Sequence, residues 1–288
     1  MGLFGWKTKK SKEPDATEAT AEKNRAMSML FTFDALPKMD LKAMSQRLNS
    51  MEALLQPLEI QDQVLTDGAL HARLIFNGHK LRLVGFSAPA PIEAVRESIE
   101  CSHWRQADKE PLRQHAAHML CYYESGSDNP TEQIIAIHKV AGTFLGDGLS
   151  GLVDAESWNC IPRNVLGELL TKDVLASSRE EIPLGIWTGF AKMFKTSEEV
   201  WFCSKGFHRW GIKDFAYLGS HSEADETFSL VNGLFRYLRE SGGEMKAGDT
   251  AQFGDSLLRF SEVTEYKDYL RGPLGTLVIS RIAPNQVH

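Results

Sequence analysis

The apolar and polar positions divide the chain into short segments that alternate between a helical and a strand period. Asp40 stands where an N-cap belongs, and Leu41, Met44, Leu48, Met51 and Leu55 follow at helical spacing until Pro57 stops them. Two apolar runs, 71–76 and 80–86, are divided by Asn77-Gly78, a pair that tolerates the positive φ of a tight hairpin turn. Pro91 opens a helix through Ile92, Val95 and Ile99. A strand is expected over 117–123, a helix over 131–145 and a strand over 149–155.

Beyond Pro162 a helix is predicted to about residue 175, and 184–194 fits strand and helix equally. Residues 200–204 are apolar on both faces, as in a buried strand. The clearest helix spans 223–241. Ser220 and Glu223, then Ser222 and Asp225, have capping-box spacing; Phe228, Val231, Phe235 and Leu238 form the apolar stripe, and Gly242-Gly243 ends it. Segments 257–263 and 274–282 are expected as closing strands. The pattern predicts an α+β fold with mixed or antiparallel sheets and packed helices, arranged as two halves, 27–160 and 161–288, that are open to being related.

Residues 1–26 stand apart. Leu3, Phe4 and Trp6 are followed by Lys7, Lys9, Lys10 and Lys12 and then by an acidic stretch rich in Ala and Thr. With so little to bury, this segment is expected to be a disordered tail. Its apolar tip and basic run also have the make-up of a small interfacial anchor, so weak membrane contact is an alternative. Gly2 would suit myristoylation, but Trp6 stands where that signal needs Ser or Thr.

Composition narrows the function classes. The 288 residues are 42% hydrophobic with a net charge of −6, which suits one or two globular domains and speaks against a whole-molecule nucleic-acid binder. No apolar run reaches the roughly 18 residues that cross a bilayer. Cys101, Cys121, Cys160 and Cys203 form no C-x-x-C pair, so reduced thiols in a cytoplasmic protein are expected, with no metal and no cofactor.

The candidate motifs are mostly structural. Gly146-Asp-Gly148-Leu-Ser-Gly151 has the spacing of a dinucleotide fingerprint, but a helix precedes it and a strand follows, the reverse of the order that presents a helix N-terminus to a pyrophosphate. A helix-to-strand turn is the better explanation. His115 and His118 could share a metal only if both lay on one helical face. Cys101-Ser-His103 brings a thiol near an imidazole in sequence without the third group that a catalytic pair needs. Glu223, Asp225 and Glu226 oppose a helix macrodipole.

Aromatic residues gather between Trp187 and Tyr217, interleaved with Lys192, Lys195, Lys205, Arg209 and Lys213. Within them Phe207, His208, Arg209 and Trp210, flanked by Gly206 and Gly211, have the composition of a loop binding surface.

This segment, the helix after it, and Gly243-Glu-Met-Lys-Ala-Gly248-Asp249-Thr250 together resemble the bacterial domain of unknown function 4261. That family shows a Gly-(Leu/Phe)-x-x-(Phe/Trp)-Gly turn leading to a strand, a helix and a later Gly-Asp-Thr segment. The resemblance covers about residues 200–256, with a weaker echo back to about 117, and departs at Ala251-Gln252-Phe253-Gly254, where a glycine is delayed. It implies a bacterial α+β protein with no established chemistry and no catalytic residues. Asp249 and Thr250 are expected to hydrogen-bond their own turn, or else to face a ligand beside Phe207–Trp210.

The leading expectation is a non-enzymatic protein that binds another protein, in an immunity or adaptor role, through Phe207, His208, Arg209, Trp210, Asp249 and Thr250. The competing expectation is an enzyme whose pocket joins His208, Arg209 and Asp249.

Overall fold

In a computed structural model of the chain, which describes residues 27–283, the apolar run Ser28–Phe33 (β1) lies inside a seven-stranded sheet, buried on both faces. Helix α1 (Leu41–Met51) starts on the Asp40 carboxylate, which accepts from Ala43 N at 3.1 Å, and buries Met44, Leu48 and Met51. Next come β2 (Glu59–Thr66), β3 (Ala69–Phe76) and β4 (His79–Phe86). At the β3–β4 turn, Asn77 and Gly78 take φ of 47° and 82°, as their sequence predicts. β2 is an exposed edge strand, so no apolar alternation marks it.

Helices α2 (Ile92–Cys101) and α3 (Gln106–Arg113) precede β5 (Ala117–Ser125), and α4 (Pro130–Gly142), β6 (Leu149–Asp154) and β7 (Asn159–Pro162) follow. The strand order is β2-β3-β4-β5-β1-β6-β7, antiparallel throughout. The period-two alternation of the strands sorts their two faces. Phe31 and Leu152 pack with Ile134 and Ile137 of α4, whereas Leu30 and Val153 pack with Val95, Ile99 and Leu112 of α2 and α3. The glycine-rich segment after α4 is the expected helix-to-strand turn: Gly148 takes φ 80°, and its carbonyl accepts from Asp34 N at 3.0 Å.

The helix predicted from Pro162 divides in two. Leu170 leaves helical geometry (φ −88°, ψ 17°), so α5 (Arg163–Leu169) ends there and α6 (Lys172–Glu180) begins after an extended Thr171. The ambiguous 184–194 stretch is both elements in turn, α7 (Leu184–Trp187) and then β8 (Gly189–Phe194). They change over at Thr188, whose extended backbone ends the helix and whose Oγ1 donates to Leu184 O at 2.5 Å.

The remaining elements are β9 (Glu199–Lys205), β10 (Asp214–Ser220), α8 (Ala224–Ser241), β11 (Thr250–Phe253), β12 (Ser256–Glu262), α9 (Lys267–Leu270) and β13 (Thr276–Ile282). The capping box between Ser220 and Glu223 is present and opens a 3₁₀ turn that leads into α8; Gly242, at φ 64°, ends that helix. The second sheet runs β11-β12-β13-β10-β9-β8, with β10 and β13 parallel. The α+β class is therefore as the sequence implies. The two sheets are wired differently, since the first contains no parallel pair.

One apolar core runs from Phe31 and Phe33 through Ile134 and Trp187 to Phe207, Phe215 and Phe260. The halves are thus fused into one body. β7 carries the first sheet two residues past position 160 and brings its edge close to β8. Asn159 Nδ2 donates to Ile186 O at 2.8 Å and to Thr188 O at 3.1 Å, tying β7 to the chain entering β8. Among the described residues no helix is long and apolar enough to cross a membrane. The anchor reading of Leu3, Phe4, Trp6 and the lysines at 7–12 lies outside the described residues.

The join demands a close backbone approach at Gly189, where a Cβ would stand 1.8 Å from Ser157 O. Gly189→Ala is therefore expected to lower the unfolding free energy by about 2–3 kcal/mol, read as a reduced urea midpoint. An unchanged midpoint would show that the seam has slack at this point.

Candidate functional site

The charged residues singled out in the sequence meet at the seam between the sheets. Gly206 at φ 103° and Gly211 at φ 74° reverse the chain on either side of a 3₁₀ turn, Phe207–Trp210. In such a turn positions i and i+3 eclipse, so Phe207 and Trp210 share a face. Both pack on Phe235 of α8, with ring centroids 4.6 and 5.5 Å away. His208 and Arg209 are left on the other side, toward the β6–β7 turn at 155–158.

That turn supplies the partners. Arg209 Nη1 and Nη2 donate to the two oxygens of Asp154, both at 2.6 Å, and Nη2 lies 3.5 Å from Glu156 Oε2. The side chains of Arg209 and Asp154 are only 3% and 10% exposed, so this is a buried bidentate pair. Ser157 Oγ adds a 2.6 Å hydrogen bond to Asp154 Oδ2. Burial alone would raise the Asp154 and Glu156 carboxyls. The guanidinium of Arg209, with Ser157 for Asp154 and His208 for Glu156, nevertheless holds both below their ordinary range. His208 Nε2 lies 3.7 Å from Glu156 Oε2.

Phe207 is therefore a core residue and Arg209 a buried tie. Trp210 is half-buried, with Nε1 3.4 Å from Thr131 Oγ1. Asp249 is remote in role as well as in strand order: its Oδ2 accepts from Lys246 N at 2.7 Å, and Thr250 begins the edge strand β11. The carboxylate that meets His208 is Glu156, not Asp249.

Lys205 and Asp214 complete the seam's interior. Lys205 Nζ donates to the carbonyls of Tyr269, Leu270 and Arg271 at 2.6, 3.1 and 3.1 Å, and stands 4.5 Å from the centre of the Trp158 ring. It thereby caps α9. Asp214 Oδ1 accepts from Ser204 Oγ and Phe207 N, both at 3.2 Å, but Oδ2 has no partner among the described residues and lies against Gly272. Burial pushes the Asp214 carboxyl up to about 6, despite Lys205 and His208 nearby.

Beside this network lies a cleft of about 270 Å³ lined by Ser28, Glu156, Trp158, Lys205, Arg271 and Gly272, among others. Trp158 holds φ at 49°, a left-handed conformation uncommon for a bulky residue. Arg271 is exposed and makes no side-chain hydrogen bond or ion pair among the described residues. A larger hollow, about 590 Å³, lies by α6 and α8. Arg236 in its wall is already paired with Glu181, and the hollow is separate from the seam network.

The other candidate groups have structural partners. His115 Nε2 accepts from Ala90 N at 2.8 Å while Nδ1 meets Leu112 O at 2.6 Å, which leaves this ring no lone pair for a metal. His118 Nδ1 meets Ala88 O at 2.7 Å. Burial raises all four thiols, Cys160 to about 11 and Cys203 to about 12, which disfavours the nucleophilic thiolate. Cys101 Sγ contacts Tyr269 OH at 3.5 Å, while His103 stacks on Trp104.

Sequence reasoning found Arg209 and His208 but missed Asp154, Glu156 and Trp158. Their only local signal is a pair of acids where the predicted strand 149–155 ends. No protein-family model, curated protein or solved structure matches the chain.

Arg209→Met strands the Asp154 charge in the seam and is expected to cost about 3–5 kcal/mol in urea unfolding. Adding Asp154→Leu should recover much of that loss. A cost below about 1 kcal/mol for Arg209→Met would show that the pair does not hold the halves.

A second expectation concerns pH. Asp214 binds its proton more tightly folded than unfolded, where its value is near 3.9. Its contribution is thus full below about pH 4 and is lost as pH rises to about 6. Buried His138, pushed down to about 4, works oppositely: its contribution is present above about pH 6.5 and is lost as pH falls toward 4. The difference between wild type and Asp214→Asn isolates the first effect. Wild type should gain on Asp214→Asn by of order 2 kcal/mol between pH 6 and pH 4. A constant difference would refute the assignment.

Proposed function

We propose that the chain is a non-enzymatic binding protein whose recognition site is the seam cleft lined by Glu156, Trp158, Lys205 and Arg271. The observation that carries this reading is the division of labour among the seam charges. Arg209, Asp154 and Lys205 are consumed in joining the halves and capping α9, whereas Arg271 beside them lines the cleft and is exposed. A rigid polar wall with one available charge is suited to recognition.

An immunity or adaptor role is the narrower form of the proposal, as is membership of the resembled bacterial family. The enzyme built on His208, Arg209 and Asp249 has less support. Asp249 is occupied by its own turn, and both nitrogens of the Arg209 fork face Asp154.

The test is native mass spectrometry of protein purified from its own cells under non-denaturing conditions. Wild type should retain a bound species that Arg271→Glu loses, with the two proteins melting within about 2 °C of each other, because Arg271 is an exposed position. Identical bound profiles would set the cleft aside.

A further inference from the structure

Two buried side chains on different helices are left short of partners around one small cavity. His138 of α4 and Trp187 of α7 are 2% and 3% exposed, and neither His138 Nε2 nor Trp187 Nε1 has a hydrogen-bond partner among the described residues. Polar groups are costly to bury in that condition. The two rings stand edge to face with centroids 5.9 Å apart, a spacing that a single oxygen about 3 Å from each nitrogen bridges. Both line the same internal cavity, which Met29, Asp154, Asn159 and Cys160 also border. The centre of a water molecule has about 10 Å³ to occupy there, which is room for one water and nothing larger.

We propose that one structural water occupies this cavity and bridges Trp187 Nε1 to His138 Nε2, tying α7 to α4. The inventory of donors and acceptors selects water. An indole N–H can only donate, so the bridging atom must accept from Trp187, which excludes a bare cation. Burial keeps the His138 ring uncharged at neutral pH, so an anion would meet no imidazolium and would lie beside the Asp154 carboxylate. A water accepts from Trp187 and meets Nε2 in whichever sense the imidazole tautomer requires. Asp154 does not compete for it, because each of its oxygens already accepts one bond from Arg209 and one from Ser157. Asn159 Oδ1 accepts from Cys160 N at 2.9 Å and has a second lone pair for the water's remaining hydrogen.

The test is a crystal structure of the full chain, joined to NMR detection of water at the Trp187 indole N–H in solution. Density for one ordered oxygen is expected within about 3.2 Å of both Nε1 and Nε2, and the indole N–H should show a dipolar cross-peak to a long-lived water. A direct bond between the two rings, density near only one of the nitrogens, or no density would overturn the proposal. So would an indole N–H without a water cross-peak. His138→Leu removes both imidazole nitrogens and leaves Trp187 Nε1 as the one orphan in the lining, so the oxygen should disappear and the cross-peak should fall at least about fivefold. An unchanged cross-peak in that variant would show that the water is held without His138 and would refute the bridge. The wild-type structure and spectrum need no substitution, so they decide between bridge and no bridge should His138→Leu fail to fold.

Discussion

The fold depends on a buried ion pair between residues 55 positions apart. Asp154 closes β6 in the first sheet, and Arg209 projects from the 3₁₀ turn that leaves β9 in the second. The apolar core that the sheets share could be satisfied by many relative placements, because burial of apolar surface has no direction. A bidentate guanidinium–carboxylate contact accepts only one. Bringing both charges out of water costs several kcal/mol, so the pair adds little net stability and a great deal of positional definition. Asn159, clamped on Ile186 O and Thr188 O, and Gly189, against Ser157 O, fix the same joint through backbone contacts. Three independent devices therefore act within a few residues of the β6–β7 turn.

The 3₁₀ turn translates that constraint into the second half. Its eclipsed positions send Phe207 and Trp210 onto α8 and leave Arg209 for Asp154, so four consecutive residues lock α8, β10 and the first sheet together. The bonds from Phe207 N and Ser204 Oγ to Asp214 hold the base of the turn. The protonated form of that carboxyl suits the pocket better than the charged one, because it is buried and Oδ2 has no donor in reach among the described residues.

What was legible in the sequence was whatever depends on near neighbours. Asp40 and the Ser220–Glu223 box mark helix starts because a cap and its amide lie within three residues; Asn77-Gly78 marks a hairpin because its φ preferences are local. The edge strand β2 was invisible because an exposed strand has no apolar face to alternate. The seam was invisible for the opposite reason: an aromatic and an arginine in a glycine-flanked turn have the composition of a surface loop, and only partners distant in sequence, Asp154 for Arg209 and Phe235 for Phe207, make them interior. Phe207 is the clearest case, since its neighbours in sequence are polar or glycine, yet it is buried with its ring packed on Phe235 of α8 and Phe215 of β10.

The cleft follows from how the joint is made. For the β6–β7 turn to reach between the halves, Trp158 adopts a left-handed backbone, and its ring is then held by Lys205 and Tyr269. Lys205 is in turn fixed by the carbonyls of Tyr269, Leu270 and Arg271 at the end of α9. Every group in that chain has its position set by a structural task, which removes the conformational freedom that a ligand would otherwise have to quench. Arg271, the residue after α9, is the exception: its backbone carbonyl is anchored on Lys205 while its side chain is exposed. Arg271 thus joins a fixed backbone root to an exposed side chain, beside a wall whose Trp158 and Lys205 are held in place by the contacts that also hold the fold together.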